Sequence, residues 1–350
     1  MRIFVPGRLC LFGEHSDWAG KYRTLDPEIE KGYALIVGTN QGIYANVKHH
    51  PQDLIFRATL DDGSRYEPIR LPMNPNALLD EAKQGGFASY IAGTAYQILT
   101  DYGVEGLEVN NYLTDLPIQK GLSSSAAICV LIARAFNRLY NLQLTIREEM
   151  EIAYLGERNT PSLCGRMDQA CAFGNKPILM TFDGDLVEFE EVTVKQELFL
   201  VIVDLGGSKD TQKILSDLNS CYPFPKNQIH QNVRQYLGTI NAQFIQQAVA
   251  AVKQGDAQLL GTLMNQVQAE FDRHLIPACP DQLTAPKLHR LLTHPALKSF
   301  IFGGKGVGSQ GDGTAQLVAK DRESQVCAIA IIYRDFPEMQ ALNLTVNSNQ

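Results

Sequence analysis

The decapeptide GLSSSAAICV, residues 121–130, sets one glycine and three consecutive hydroxyls at the mouth of an apolar helix. One hydroxyl suffices to cap a helix by accepting a hydrogen bond from a first-turn N–H, and Ser123 or Ser124 is placed to do so. The other reading is an anion site. The glycine admits close backbone approach, the first-turn N–H groups point outward, and the helix dipole favours negative charge there. The hydroxyls then donate to phosphate oxygens or ligate Mg2+. Neither the Walker A spacing GxxxxGK[ST] nor the Rossmann glycine fingerprint is present.

Three further stretches concentrate reactive groups. VPGRLCLFGEHSDWAG, near the amino terminus, holds Arg8, Glu14, His15 and Asp17 within ten residues, flanked by Gly13 and Gly20. As a solvated turn they need no further explanation; as a site, the carboxylates and the imidazole suit a polyhydroxylated ligand, with Arg8 facing developing negative charge. GERNTPSLCGRMDQ carries Glu157 near a helix end and Asp168 in a turn. Two carboxylates in different surroundings divide naturally into a metal ligand and a general base, although each alone also reads as a surface acid. GGKGVGSQGDG has glycines at 303, 304, 306, 308, 311 and 313. So glycine-dense a loop can lie close to another loop or to a phosphate, or simply turn.

The elements that must position these groups follow from periodicity. RIFV, GYALIVGTN, GIYANVKHH, LIFRATL and LEVNNYL read as strands, and FASYIAGTAYQIL as a helix with Phe87, Ile91, Ala95 and Ile98 on one face. A strongly apolar helix follows Gly121, bearing Ala126, Ala127, Val130, Leu131, Ala133 and Phe136. TIREEMEIAYLGER is expected to turn Ile152 and Leu155 inward. Strands PILMTF and LFLVIVDL come next. The remainder is helix-rich, with HQNVRQYLGTINAQFIQQAVAAVKQ, AQLLGTLMNQVQAEFD, APKLHRLL and SQVCAIAIIY, interrupted by the glycine-rich strand-loop. Strands early and helices late predict an α+β pair of domains with a boundary near residues 183–197.

Composition bounds the rest. With 350 residues, 45% hydrophobic and 20% charged, the chain can build a sizeable core. The net charge of −7 and the lack of a basic run argue against nonspecific nucleic-acid binding. Seven scattered cysteines without a CxxC pair favour a reducing compartment. The start MRIFVPGRLC has no signal-peptide character, and no apolar stretch approaches the roughly 20 residues that span a bilayer. The chain reads as cytoplasmic, without a membrane partner.

Taken in order, PGRLCLFGEHSDW, GLSSSAA, CGRMDQ and GGKGVGSQGDG resemble motifs of the GHMP kinase superfamily: the galactokinases, homoserine kinases, mevalonate kinases and phosphomevalonate kinases. They extend from residue 6 to about residue 319, nearly the whole chain. The resemblance implies an α+β, two-domain GHMP kinase fold. Residues 1–185 would form an amino-terminal domain with a left-handed β-α-β unit, and residues 186–350 a ferredoxin-like carboxy-terminal domain.

It also implies ATP as co-substrate, its phosphates on Gly121, Leu122, Ser123, Ser124, Ser125 and Ala126. Mg2+ would sit on Ser125 and Glu157. Asp168 would take the proton of the attacking hydroxyl, and Arg8 would steady that hydroxyl and the phosphoryl group. The E-H-x-D signature resembles that of the sugar 1-kinases, which assigns sugar hydroxyls to Glu14, His15 and Asp17 and brings Gly206, Gly207 and Ser208 near the sugar. The implied reaction phosphorylates the anomeric hydroxyl of a monosaccharide or sugar acid, in a monomer or homodimer. A mevalonate-type kinase is one alternative, leaving Glu14 and Asp17 without a role; a non-catalytic sensor of ATP and sugar is another. The sequence departs from the family pattern at Gln119 and Lys120, where Gly-x-Gly is usual, and at Trp18, where Tyr is common. Asp312 is open between a loop residue and a supporting contact.

Overall fold

The computed structural model describes residues 1–60, 62–116, 122–162 and 164–348. The chain begins with strand β1 (Arg2–Phe12), helix α1 (Ser16–Lys21) and the long strand β2 (Gly32–His50). Strands β3 (Asp53–Arg57) and β4 (Ile69–Pro72) precede helices α2 (Pro75–Gln84) and α3 (Phe87–Tyr102). Strand β5 (Gly106–Thr114) leads to helices α4 (Ser124–Tyr140) and α5 (Ile146–Arg158), and a 3-10 turn covers Asp168–Phe173. Next are strands β6 (Ile178–Asp183), β7 (Leu186–Glu191) and β8 (Leu198–Asp204). Helices α6 (Thr211–Asn219), α7 (Gln228–Gln235), α8 (Asn241–Gln254) and α9 (Ala257–Leu275) follow, then α10 (Pro280–Leu283) and α11 (Pro286–Leu292). Strands β9 (Ile301–Gly306) and β10 (Thr314–Ala319), helix α12 (Arg322–Asp335) and strand β11 (Gln340–Val346) complete the chain.

By internal contacts the chain divides into two units, Met1–Arg8 with Gly38–Asn175 and Leu9–Val37 with Lys176–Gln350. In the first unit, β3 lies between β4 and β5, antiparallel to one and parallel to the other, and β5 runs antiparallel to the second half of β2. The parallel pair is joined through β4, α2 and α3. Helix α4 is buried from Ala126 to Asn137, mostly apolar, with Arg134 and Asn137 as its buried polar members.

GYALIVGTN and GIYANVKHH, expected as two strands, form the single 19-residue strand β2. Gly42 makes no turn there. A Cβ on it would strike Val5 O and the Phe4 ring, so the glycine serves close strand approach, and its N–H bonds Asp115 Oδ1 at 2.7 Å. Leu155, expected inward, is exposed, while Ile152 is buried as expected. The contact is made instead by Gly156, which lies against the backbone of Thr94 in α3.

The second unit holds a four-stranded antiparallel sheet in the order β11-β8-β10-β9. With helices between β8 and β9 and α12 between β10 and β11, this is the ferredoxin-like β-α-β-β-α-β arrangement. Val201, Val203, Ala315 and Leu317 of the sheet pack with Leu288 and Leu291 of α11 and Ala328 and Ile332 of α12. The first half of β2 pairs with β6, and β6 with β7, an amphipathic strand not anticipated from the sequence. The long helix expected over HQNVRQYLG…AAVKQ is broken at Gly238, whose φ of −97° and ψ of −106° leave the helical range between α7 and α8. Among the described residues, no helix is long and apolar enough to cross a membrane.

Candidate active site

In the first unit, Arg8, Ser123 and Asp168 come together. Arg8 is 6% exposed, and its backbone N–H bonds Leu122 O at 3.0 Å. Its guanidinium pairs with Asp168 Oδ1, while Nε is buried without a partner. Ser123 occupies the N-cap position of α4 but caps nothing. Its backbone is left-handed, with φ 58°, and its hydroxyl donates to Asp168 Oδ1 at 2.9 Å. The capping role open to Ser123 in the sequence is therefore not the one it takes. The first turn of α4 is left without that cap, as an anion site at a helix N-terminus requires. Leu122 and Ala126 are buried, and Ser124 and Ser125 half-buried. Gly121 lies outside the described residues, as do Gln119 and Lys120.

Glu157, 1% exposed at the end of α5, accepts from Gln169 Nε2 at 2.6 Å and Ser162 Oγ at 3.3 Å. Burial raises its carboxyl pKa, opposed by hydrogen bonds from Ser125, Gln169, Ser162 and Cys164. Ser125 and Glu157, assigned to one ion, are thus hydrogen-bonded neighbours. A carboxylate and a hydroxyl are hard oxygen donors of the kind Mg2+ takes, with substrate phosphates and water completing its shell. A cation there would offset the cost of ionising the buried acid.

Two residues not singled out in the sequence hold this arrangement. Gln169 ties Glu157 to the turn that begins at Asp168. Arg134, buried in α4, donates to Ala172 O at 2.6 Å in the same turn and pairs with Glu149 at 2.8 Å. A lysine or arginine on an apolar helix gives little warning of such a role, because its partner is set only by folding.

The second unit gathers another cluster. β1 ends at Phe12, and at the following Gly13 φ is +96° and a Cβ would collide with Tyr33 O. Glu14 and His15 follow, each 6% exposed. Asn241 of α8 fixes the start of α1 by donating to Ser16 Oγ at 2.7 Å, and Gln316 of β10 donates to Cys10 O and Leu11 O. Glu14 forms an ion pair with Lys305, which is fully buried in β9 and also donates to Gly306 O at 2.8 Å. His15 Nδ1 accepts from Trp18 Nε1 at 3.1 Å, and Nε2 is buried without a partner. Burial, then the charges of Lys209 and Lys305, push the imidazole pKa down to about 3, so His15 is neutral.

Asp17 lies half-buried in the first turn of α1. Gly207 packs so closely on Asp312 that a Cβ would meet its carbonyl oxygen. Asp312 accepts from the N–H groups of Lys287 at 2.9 Å and Leu288 at 3.0 Å, holding the start of α11. Asp312 thus sits in a turn and braces the start of α11. Lys305 was missed in the sequence: lysines are rarely buried, and GGKGVG reads as a loop.

The first unit sets an uncapped helix N-terminus beside an Arg–Asp pair, an arrangement able to hold an anion next to a carboxylate, and the second unit is ferredoxin-like. Residues 89–175 match the profile of the GHMP kinases N terminal domain. The galactokinase of Pyrococcus furiosus is 22% identical over 346 residues, covering 92% of this chain and 90% of that protein. The solved mevalonate kinase of Methanococcus jannaschii superposes with a TM-score of 0.72 at 18% identity, over 100% of this chain and 98% of the other. Lactococcus lactis galactokinase, solved with galactose, gives 0.71 at 17% identity over 99% and 94%. Residues 89–175 thus carry a GHMP kinases N terminal domain, and the chain has the two-domain fold of the solved mevalonate kinase and galactokinase.

Proposed function

We propose that this kinase transfers the γ-phosphoryl group of ATP to the anomeric hydroxyl of a monosaccharide or sugar acid, giving a sugar 1-phosphate and ADP. The observation that carries the reading is the convergence of Arg8 and Ser123 on the Asp168 carboxylate, beside the uncapped start of α4. The hydroxyl oxygen attacks phosphorus, the bond from phosphorus to the β–γ bridging oxygen breaks, and the hydroxyl proton goes to Asp168. Arg8 carries fixed positive charge next to that carboxylate and steadies the oxygens of the phosphoryl group. Because phosphoryl transfer runs through a loose transition state, such positioning and neutralisation supply most of the acceleration.

The backbone amides at the start of α4 would hold the phosphates, and Ser125 with Glu157 would hold Mg2+. When bound, the ion neutralises phosphate charge. Gln169 keeps Glu157 aimed, and Arg134 keeps the Asp168 turn in place. Glu14, His15, Asp17 and Gly207 form the sugar side, with Glu14 ion-paired to Lys305. Buried polar groups of this kind discriminate against a ligand lacking the partner hydroxyl, because they would be left unpaired. The galactokinases among its relatives support a sugar over mevalonate.

The test is ATP consumption against a panel of free monosaccharides, sugar acids and mevalonate, with the phosphorylated position found by phosphorus NMR. A sugar giving a 1-phosphate is the expected result. Turnover of mevalonate alone, or phosphorylation at another carbon, would overturn the assignment.

A further inference from the structure

Gln310 keeps a side chain at a position that suits glycine. It stands in the turn between β9 and β10 with φ +66°, flanked by Gly308 at +66° and Gly311 at +67°. A residue with a Cβ is disfavoured in this left-handed region, and glycine is not. Close packing holds the turn there. A Cβ on Gly311 would stand 2.9 Å from Gln282 O, and one on Gly313 2.7 Å from the Lys209 stem. Backbone strain over-determined in this way gathers at sites that clamp ligands.

The side chain makes no hydrogen bond that would offset the strain. Gln310 is 1% exposed, and among the described residues neither its Nε2 nor its Oε1 has a partner. Its Oε1 lies where a Cβ on Gly306 would strike it, but the peptide groups of Gly306 are committed elsewhere. The N–H bonds Gln268 Oε1 at 2.7 Å, and the carbonyl accepts from Lys305 Nζ at 2.8 Å.

Two more unpartnered atoms belong to neighbours of the Glu14–Lys305 pair. Gln316 stands opposite Lys305 in the register of β9 and β10. Its Nε2 donates to Cys10 O and Leu11 O, and its Oε1 is buried without a partner. His15 adjoins Glu14, and with Nδ1 accepting from Trp18 its neutral ring holds an unpaired N–H at Nε2. Around an ion pair whose charges already cancel, both donors and acceptors are thus left over. Unpaired groups of this kind are costly when buried and call for a partner. A hydroxyl both donates and accepts, so a polyol offers partners of both kinds, whereas a carboxylate only accepts.

We infer that Gln310 is a specificity-determining residue for the sugar, its amide exchanging hydrogen bonds with a substrate hydroxyl. This rests on the sugar-kinase reading and adds to it a residue outside those assigned to the sugar there. A ligand lacking that hydroxyl would leave the amide unpaired and be rejected.

The experiment is calorimetric titration of the full chain without nucleotide. Galactose, arabinose, glucuronate and N-acetylgalactosamine are titrated first, then the monodeoxy analogues of whichever binds most tightly. At one hydroxyl position the deoxy sugar should bind at least ten-fold more weakly than its parent. In Gln310→Gly that gap should close to less than three-fold, while the gaps at the other positions and the Kd of ATP change less than three-fold. The Tm of this variant should be no lower than that of the unaltered chain, because glycine relieves the turn and removes an unpaired amide. Gln310→Asn tolerates the left-handed backbone and keeps an amide on a shorter arm, so it should retain part of the gap. That measurement stands even if the glycine variant does not fold. Deoxy gaps identical in all three proteins, or an equal weakening of every sugar, refute the assignment and leave the kinase reading intact. A fall in Tm with sugar binding unchanged also refutes it, making the side chain framework alone. Failure of every sugar to bind or react removes the kinase reading, and this inference with it.

Discussion

Replacing Lys305 by Met should expose how strongly the second unit depends on one buried ion pair. Lys305 is 0% exposed and the Glu14 side chain 4%, so both charges have lost their water. Methionine preserves most of the apolar stem but removes the buried cation that faces the Glu14 carboxylate. Removing one member of a buried pair costs about 3–5 kcal/mol, far above the 0–1 kcal/mol of a surface pair. For a folding unit of 150–250 residues each kcal/mol moves Tm by about 2–4 °C, so the expected fall is roughly 6–20 °C. The double variant Glu14→Gln/Lys305→Met, which removes both charges, should recover at least half of that loss. Trp18, the only tryptophan, bonds His15 next to Glu14, and its fluorescence reports melting of this unit. A loss below about 1 kcal/mol in the single variant, or strict additivity of the two substitutions, would refute the view that the pair is desolvated and mutually dependent.

Asp168→Asn should lower kcat by about 10²–10⁴-fold with ATP affinity nearly unchanged, checked by steady-state kinetics and nucleotide titration; near-normal turnover removes Asp168 from the chemistry. Glu157→Gln keeps hydrogen bonds to Ser125 and Ser162 but not the charge, so the Mg2+ concentration for half-maximal activity should rise about ten-fold or more, and superimposable metal titrations would dismiss the site. His15 has a folded pKa near 3 against 6.5 for the free side chain, so the unfolded chain binds the extra proton between those values. Stability should therefore fall as pH drops from about 6.5 towards 3, by up to about 1.4 kcal/mol per pH unit from this residue, and His15→Gln should show a shallower decline in acid denaturation curves.

Much of this protein was determined by local sequence. The apolar period of residues 126–136 made helix α4, alternation and β-branching made most strands, and GLSSSAA, CGRMDQ and EHSD marked the candidate residues, because each signal is complete within a few positions. The fold class followed from the same patterns together with the order of the motifs.

What the hydroxyls and charges do was decided only in three dimensions. Ser123 has the composition of a cap, yet its hydroxyl serves Asp168, 45 residues away. Asp312 looked like part of a glycine-rich turn and holds the start of α11. Lys305 sits in a stretch that reads as loop and neutralises Glu14 across 291 residues. A side chain's ionisation and hydrogen bonding depend on who shares its burial, and that company comes from distant chain; periodicity records which residues go inside, not whom they meet there.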